Sequence, residues 1–176
     1  MVSIDAMAIQ VRPARQDEAS QLRRLRLEML SDSPASFAEL FDRVSDWDQT
    51  RWEARLRSMT APDAALFVAT DGDRWVGQAG ARIYGNYVRP RAYLLAVYVS
   101  PAHRGRRLVN RLIGEVEGWA VRLGHRELFL DVHEDAASAR TAYARLGFVE
   151  TGITTPYVND VSRHEVEMAK WLAGPR

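Results

Sequence analysis

An uninterrupted apolar run from Tyr93 to Val99 constrains this chain more than any other feature. A strand that is apolar at every position, rather than at alternate ones, has both of its faces covered. It therefore belongs in the middle of a sheet, with other elements packed above and below. Pro101 stops it, because proline brings no amide to a ladder. A short basic loop through His103, Arg104 and Gly105 follows, and then a helix from Arg106 to Leu123. Leu108, Leu112, Val116 and Trp119 form its apolar stripe, and Gly124 stands at its C′ position. This order puts a helix N-terminus beside Arg104, Arg106 and Arg107. Unpaired amides, a partial positive charge and guanidinium groups together make a site for phosphate or pyrophosphate. A basic surface turn that only caps a structural helix leaves the same pattern.

The remaining elements follow from period and punctuation. Ile9 to Val11 alternates as a short strand and is stopped by Pro13. Asp17 offers an N-cap to a helix with Leu22, Leu25, Met29 and Leu30 at helical spacing. Arg23, Arg24 and Arg26 fall on its other side as a solvated face, and Ser31 to Pro34 breaks it. Trp47 to Met59 is a second helix carrying Trp52, Leu56 and Met59 on one side. Ala65 to Thr70, the turn Asp71-Gly72-Asp73, and Trp75 to Tyr84 make a hairpin. Beyond the long helix come a strand from Glu127 to Val132 and a short helix from Ala137 to Leu146. Phe148-Val149 is a short strand, and Arg163 to Trp171 the last one. With no repeat, low-complexity tract or linker, the expectation is one α+β domain over residues 1–176 with a mixed sheet, its core spanning about 9–172.

Composition narrows the function. There is no cysteine, which excludes disulfides, zinc ribbons and thiol nucleophiles. A formal net charge of +1 recruits neither nucleic acid nor an anionic membrane, so any anion site must be local. Met1 to Gln10 lacks the basic and apolar segments of a secretory leader, and no apolar run is long enough to span a bilayer. A cytoplasmic protein, monomer or homodimer, is the expectation. His133-Glu134-Asp135 has no second histidine at ligand spacing, so it reads as a helix-entry turn rather than a metal site.

Val99, Pro101, Arg104 and Gly105 match the Val-x-Pro-x-x-Arg-Gly-x-Gly signature of the GNAT acetyltransferases. Tyr143-Ala144-Arg145-Leu146-Gly147-Phe148 resembles that family's second signature, with Ala139 where alanine is preferred. The element order is similar too, so the resemblance covers Ile9 to Leu172. The chain departs from the pattern at Arg107, where the family has glycine, at Val109, where it has glycine or alanine, and at Ala136, where it has asparagine. The resemblance implies a mixed sheet whose two central strands splay apart, flanked by helices. It implies acetyl-CoA as co-substrate, held by Arg104, Gly105, Arg106, Arg107, Leu108 and Val109, with Ala136 and Ala139 alongside. Backbone groups of Val97, Tyr98 and Val99 pair with the pantetheine arm, and one of those amides steadies the oxyanion. Tyr143 is the implied acid or hydrogen-bond donor to the leaving thiolate.

The implied reaction is direct acetylation of a primary amine of a small molecule, peptide or protein, in a ternary complex and without a metal. Such an amine is mostly protonated at neutral pH, so something must take its proton. His133, Asp131 and Tyr98 are candidates for that role. Phe37 and Trp47 are candidate walls of the acceptor pocket or else core residues, and His133 is a further candidate contact to the acceptor. Glu39, Asp42, Asp46 and Asp48 are acidic groups suited to a cationic amine, or else a solvated loop. A degenerate CoA-binding regulatory domain without turnover is the alternative. RNA binding through Arg104 to Arg107 lacks interleaved aromatics and an overall basic balance.

Overall fold

Every strand run seen in the sequence joins one seven-stranded sheet. The computed structural model describes residues 8–172, so the reading of Met1 to Gln10 falls mostly outside the described residues. The chain runs β1 (Gln10–Pro13), α1 (Ala19–Asp32), α2 (Phe41–Val44), α3 (Gln49–Met59), β2 (Ala64–Asp71), β3 (Arg74–Tyr84), β4 (Arg91–Val99), α4 (Leu108–Arg122), β5 (Glu127–His133), α5 (Ala137–Arg145), β6 (Val149–Tyr157) and β7 (Asp160–Trp171). The strand order is β1-β2-β3-β4-β5-β7-β6. All neighbours are antiparallel except β4 and β5, which run parallel across the α4 connection. This is the expected α+β fold with a mixed sheet flanked by helices. Among the described residues, no helix is long and apolar enough to cross a membrane.

Period-2 alternation gives the sheet a core on each face. Along β2, Phe67 and Ala69 turn towards α4, while Leu66 and Val68 turn towards α1 and α3. On the first face Leu108, Leu112, Ile113 and Val116 of α4 are buried, each contributing about 1.5–3 kcal/mol by leaving water. The helix comes close because β3 has Gly77 beneath it. A Cβ there would stand 3.1 Å from the Tyr98 carbonyl and 3.3 Å from the Leu112 side chain. On the second face Leu22, Leu25 and Met29 of α1 and Trp52 and Leu56 of α3 are buried to 0% exposure, which seals that core completely.

Two irregularities in β4 shape the site. Gln78 of β3 pairs with Tyr98, but Gly80 pairs with Leu95. One residue of β3 therefore faces two of β4, Ala96 and Val97, which is a β-bulge. Ala96 takes φ +51°, and the buried Gln78 side chain donates to its carbonyl at 3.1 Å. The bulge inverts the alternation: Ala92 and Leu94 face α4 before it, and Val97 and Val99 face α4 after it, which sends Tyr98 to the α1 side. The second irregularity is the splay. β4 meets β5 only at Ala92–Leu128 and Tyr93–Phe129, whereas β5 pairs with β7 along its whole length, from Glu127 to His133.

Several boundaries differ from expectation. Glu18, not Asp17, occupies the N-cap of α1, and its side chain does not cap the helix. It is buried instead, accepting from Arg12, the Arg15 amide and the Trp75 indole, and these partners hold its pKa down near 2 against the cost of burial. α1 continues through Ser31 and Asp32. α3 starts at Gln49, because the Asp48 side chain accepts from the Arg51 amide. α4 starts two residues later than expected because Arg107 is left-handed at φ +56°. The strand expected at Phe148-Val149 runs from Val149 to Tyr157. It is an edge strand, exposed almost throughout, with no apolar alternation to announce it.

Candidate active site

The splay opens a cleft of about 730 Å³ that passes from the α4–α5 side of the sheet to the α1–α3 side. β4 from Leu94 to Val99 and β5 from Leu130 to His133 border it. Val109, Ala136, Ala139 and Tyr143 line one mouth, and Arg26, Phe37, Glu39 and Arg55 line the other. Past Tyr93 the β5-facing edge of β4 has no strand partner among the described residues.

At the first mouth the chain turns with Gly105 at φ +77° and Arg107 at φ +56°, both in the region where glycine is at ease. The first intrahelical bond of α4 runs from the Arg111 amide to the Arg107 carbonyl at 3.2 Å. Among the described residues no side chain caps the helix, so the amides of its first turn point outward unspent. Arg106 and Arg107 are exposed beside them. Leu108 is buried in the core and offers the cleft only its backbone, whereas Val109 borders the cleft. Arg104 is already engaged. Its Nε donates to the Val99 carbonyl at 3.1 Å, its fork pairs with Asp32, and its plane lies 5.8 Å from the Tyr98 ring. It straps the end of β4 to α1.

Tyr143 stands on α5 with its ring edge-on to Phe148 at 5.8 Å. Burial pushes its pKa up to about 12, so the hydroxyl stays protonated and acts as a donor. Tyr98 donates to Glu28 at 3.4 Å, and burial beside Glu28 and Asp32 raises its pKa as well. A phenolate base at Tyr98 is therefore disfavoured.

On β5, Asp131 borders the cleft, with its side chain open to it. Burial and the nearby Glu165 and Glu167 raise its pKa to about 6. Glu165 of β7 also borders the cleft, and burial raises its pKa. Glu167 is spent on Tyr93 at 2.7 Å, Thr151 at 2.9 Å and Arg91 at 3.2 Å. His133 lies edge-on to Tyr157 at 4.8 Å. Its Nδ1 lies 3.2 Å from the Asp135 amide, which donates to it.

At the acceptor mouth Phe37 borders the cleft, but Trp47 does not. Its ring tilts against Trp52 at 5.2 Å, beneath the guanidinium groups of Arg51 and Arg55. Asp48 is used as a cap, and Asp42 and Asp46 are exposed away from the cleft. Glu39 faces the cleft but is shared by Arg26 and Arg55, so it has little charge left for a cationic amine. Glu165, Arg26 and Arg55 were not picked out from the sequence as site residues. Only the alternation of β7, once its register against β5 is known, brings Glu165 to the cleft.

The Acetyltransferase (GNAT) family profile matches residues 24–148. Aminoglycoside N(6′)-acetyltransferase type 1 of Salmonella typhimurium is 30% identical over 98 residues, covering 53% of this chain and 68% of that protein. Among solved structures, a GNAT-family acetyltransferase from Streptococcus pneumoniae superposes with a TM-score of 0.76 at 19% identity, covering 94% of this chain and 99% of that one. YncA of Salmonella typhimurium, solved with its cofactor acetyl-CoA, superposes with a TM-score of 0.75 at 19% identity, covering 96% of each chain. The splayed strands, the uncapped basic helix start and these matches agree: the chain belongs to the GNAT acetyltransferase family.

Proposed function

We propose that the chain moves an acetyl group from acetyl-CoA to a primary amine by direct attack within the cleft. The observation that carries this reading is the splay itself. It joins a basic helix terminus on one side of the sheet to Asp131 and Glu165 on the other, two carboxylates that pair with no arginine or lysine among the described residues. The residues fit the co-substrate. The first-turn amides of α4 with Arg106 and Arg107 would hold its pyrophosphate, and the free edge of β4 near Val97 would take the pantetheine arm as a strand takes a partner. Val109, Ala136 and Ala139 would flank that arm. Bound there, the co-substrate supplies the acetyl group as an activated thioester.

Asp131 takes the amine proton in this reading. With a pKa near 6 it is ionised at neutral pH and still basic enough to accept. An amide freed by the bulge at Ala96–Val97 steadies the oxyanion, and the Gln78 contact keeps that bulge in place. Tyr143 donates a hydrogen bond to the departing thiolate. Complete transfer from a phenol near 12 to a thiol near 8.5 would run uphill by roughly 5 kcal/mol, so donation rather than transfer is its part.

Thermal shift with acetyl-CoA tests the cofactor half. Ligand at about a hundredfold excess over its Kd should stabilise by about 2.7 kcal/mol. An unchanged melting temperature at saturating acetyl-CoA overturns the assignment. Thiol release across a panel of amines tests the transfer half.

A further inference from the structure

Charge is left over on two walls of the cleft, with opposite signs. On the helical wall Arg26 Nε donates to Glu39 Oε2 at 2.7 Å, and Arg55 donates to Glu39 Oε1 at 2.6 Å. Arg26 is only 7% exposed, and among the described residues one of its terminal nitrogens meets nothing better than the Met29 sulfur at 3.4 Å. Two cations on one carboxylate leave one positive charge in excess. Burial and the neighbouring Arg55 accordingly push the pKa of Arg26 down. Nearby anions do not cancel the excess: Glu28 is held by Arg24 and Arg74, and Asp32 by Arg104. Aromatic rings fix both guanidinium groups, with Phe37 5.7 Å from Arg26 and Trp47 5.5 Å from Arg55.

The sheet wall carries the complement. Asp131 and Glu165 border the cleft. Among the described residues neither pairs with an arginine or lysine, and the nearest charges raising Asp131 are other carboxylates. A ligand that relieves both walls carries a cation at one end and an anion at the other. We propose that the acceptor is a small zwitterionic amine, an amino carboxylate, whose amine lies against Asp131 and Glu165 and whose carboxylate lies against Arg26 and Arg55. This rests on the amine-transfer reading above and narrows its substrate class. A polycationic amine fits the acidic wall but brings its remaining charges against the two arginines, a repulsion that selects against it.

Matched acceptors test the assignment: α- and ω-amino carboxylates of graded length, each beside the amine that lacks the carboxylate, with an aminoglycoside as the polycation. Thiol release from acetyl-CoA is measured with the full chain. Some amino carboxylate should exceed its decarboxylated counterpart by about tenfold to a hundredfold in kcat/KM. Arg55→Met neutralises the excess charge and should abolish that preference, chiefly by raising KM for the amino carboxylate to that of its decarboxylated counterpart. Glu39→Gln enlarges the excess and should increase the preference. Should Arg55→Met fail to fold by its melting curve, Glu39→Gln and Arg55→Lys decide the matter, the first raising the preference and the second largely keeping it. Equal or better turnover of the simple amines or the aminoglycoside overturns the zwitterion assignment alone. No accepted amine despite bound acetyl-CoA overturns the amine-transfer reading, and this one with it.

Discussion

The two mouths of the cleft are built in opposite ways. The α4 mouth is built chiefly on one contiguous stretch, Val99 to Val109, with α5 alongside, and works mainly through backbone: a left-handed turn, unspent amides and a helix start without a side-chain cap among the described residues. The acceptor mouth is made of side chains from α1, the segment before α2, α3, β5 and β7, brought together only by the fold. A backbone-built mouth tolerates substitution and recognises a constant group, because amides are supplied by every residue. A side-chain-built mouth can be retuned one residue at a time. The mouths should therefore respond differently to mutation, with chemistry concentrated in a few acceptor-side groups and co-substrate affinity spread over many.

Asp131→Asn is the severest trial of that contrast. Turnover should fall by about a hundredfold to ten-thousandfold, with acetyl-CoA affinity nearly unchanged. Since Asp131 accepts a proton only when ionised, kcat/KM of the parent should rise with pH through about 6, and the variant should lose that limb. Stability should move the other way. The folded pKa is raised above the unfolded value near 3.9, so the folded chain holds this proton more tightly. Its contribution to stability is lost as pH rises from about 4 to 6. At pH 7 the asparagine variant should melt higher than the parent, and its melting temperature should vary less across that window. A variant that keeps full turnover would move the base to another group and break the comparison at its centre.

Tyr143→Phe probes the seam between the mouths, because α5 borders the co-substrate side while its hydroxyl serves the chemistry. With the phenol pKa raised to about 12, the hydroxyl gives a hydrogen bond rather than a proton, so the loss should be about tenfold to a hundredfold in kcat. Ring packing against Phe148 is retained, and acetyl-CoA affinity should change less than threefold or so. Unchanged turnover, with chemistry rate-limiting, would make Tyr143 a packing residue.

How much of this was legible in the sequence follows the same division. The central strand, the helix stripe of α4 and the basic loop between them are local patterns, and each element formed close to where its period put it. The hairpin turn after β2 was equally plain, with Gly72 at φ +58°. The β4 bulge was invisible because Ala96 is an ordinary strand residue; only the register against Gln78 and Gly80 reveals it. β6 was mostly missed because an exposed edge strand need not alternate. Periodicity alone puts Arg26 on the solvated face, off the apolar stripe of α1. It is buried because Glu39, thirteen residues further on, folds back to pair with it. Of the two places the sequence leaves open for Trp47, pocket wall or core, the structure takes the second, where Trp52 and two arginines claim its ring. Charges that depend on partners from distant elements carry no local signature.

The smallest effect expected is also the one that separates backbone from side chain within a single residue. Arg107 sits at φ +56°, a conformation that costs a residue with a Cβ roughly 1–2 kcal/mol. Arg107→Gly removes that cost and also loosens the unfolded chain, which offsets part of the gain. Urea unfolding should show the variant more stable by about 0.5–1 kcal/mol. The same change deletes a guanidinium from the edge of the uncapped helix start. If the mouth works through its amides, with Arg106 and Arg107 adding charge from the rim, acetyl-CoA affinity should fall only a few-fold, and the loss should shrink as salt is raised. Arg107→Lys separates the two terms, since it keeps the charge and the strain together. It should match the parent in both stability and affinity. A fall of a hundredfold or more for Arg107→Gly would mean that one side chain, and not the backbone cradle, carries co-substrate binding, and the contrast between the mouths would disappear.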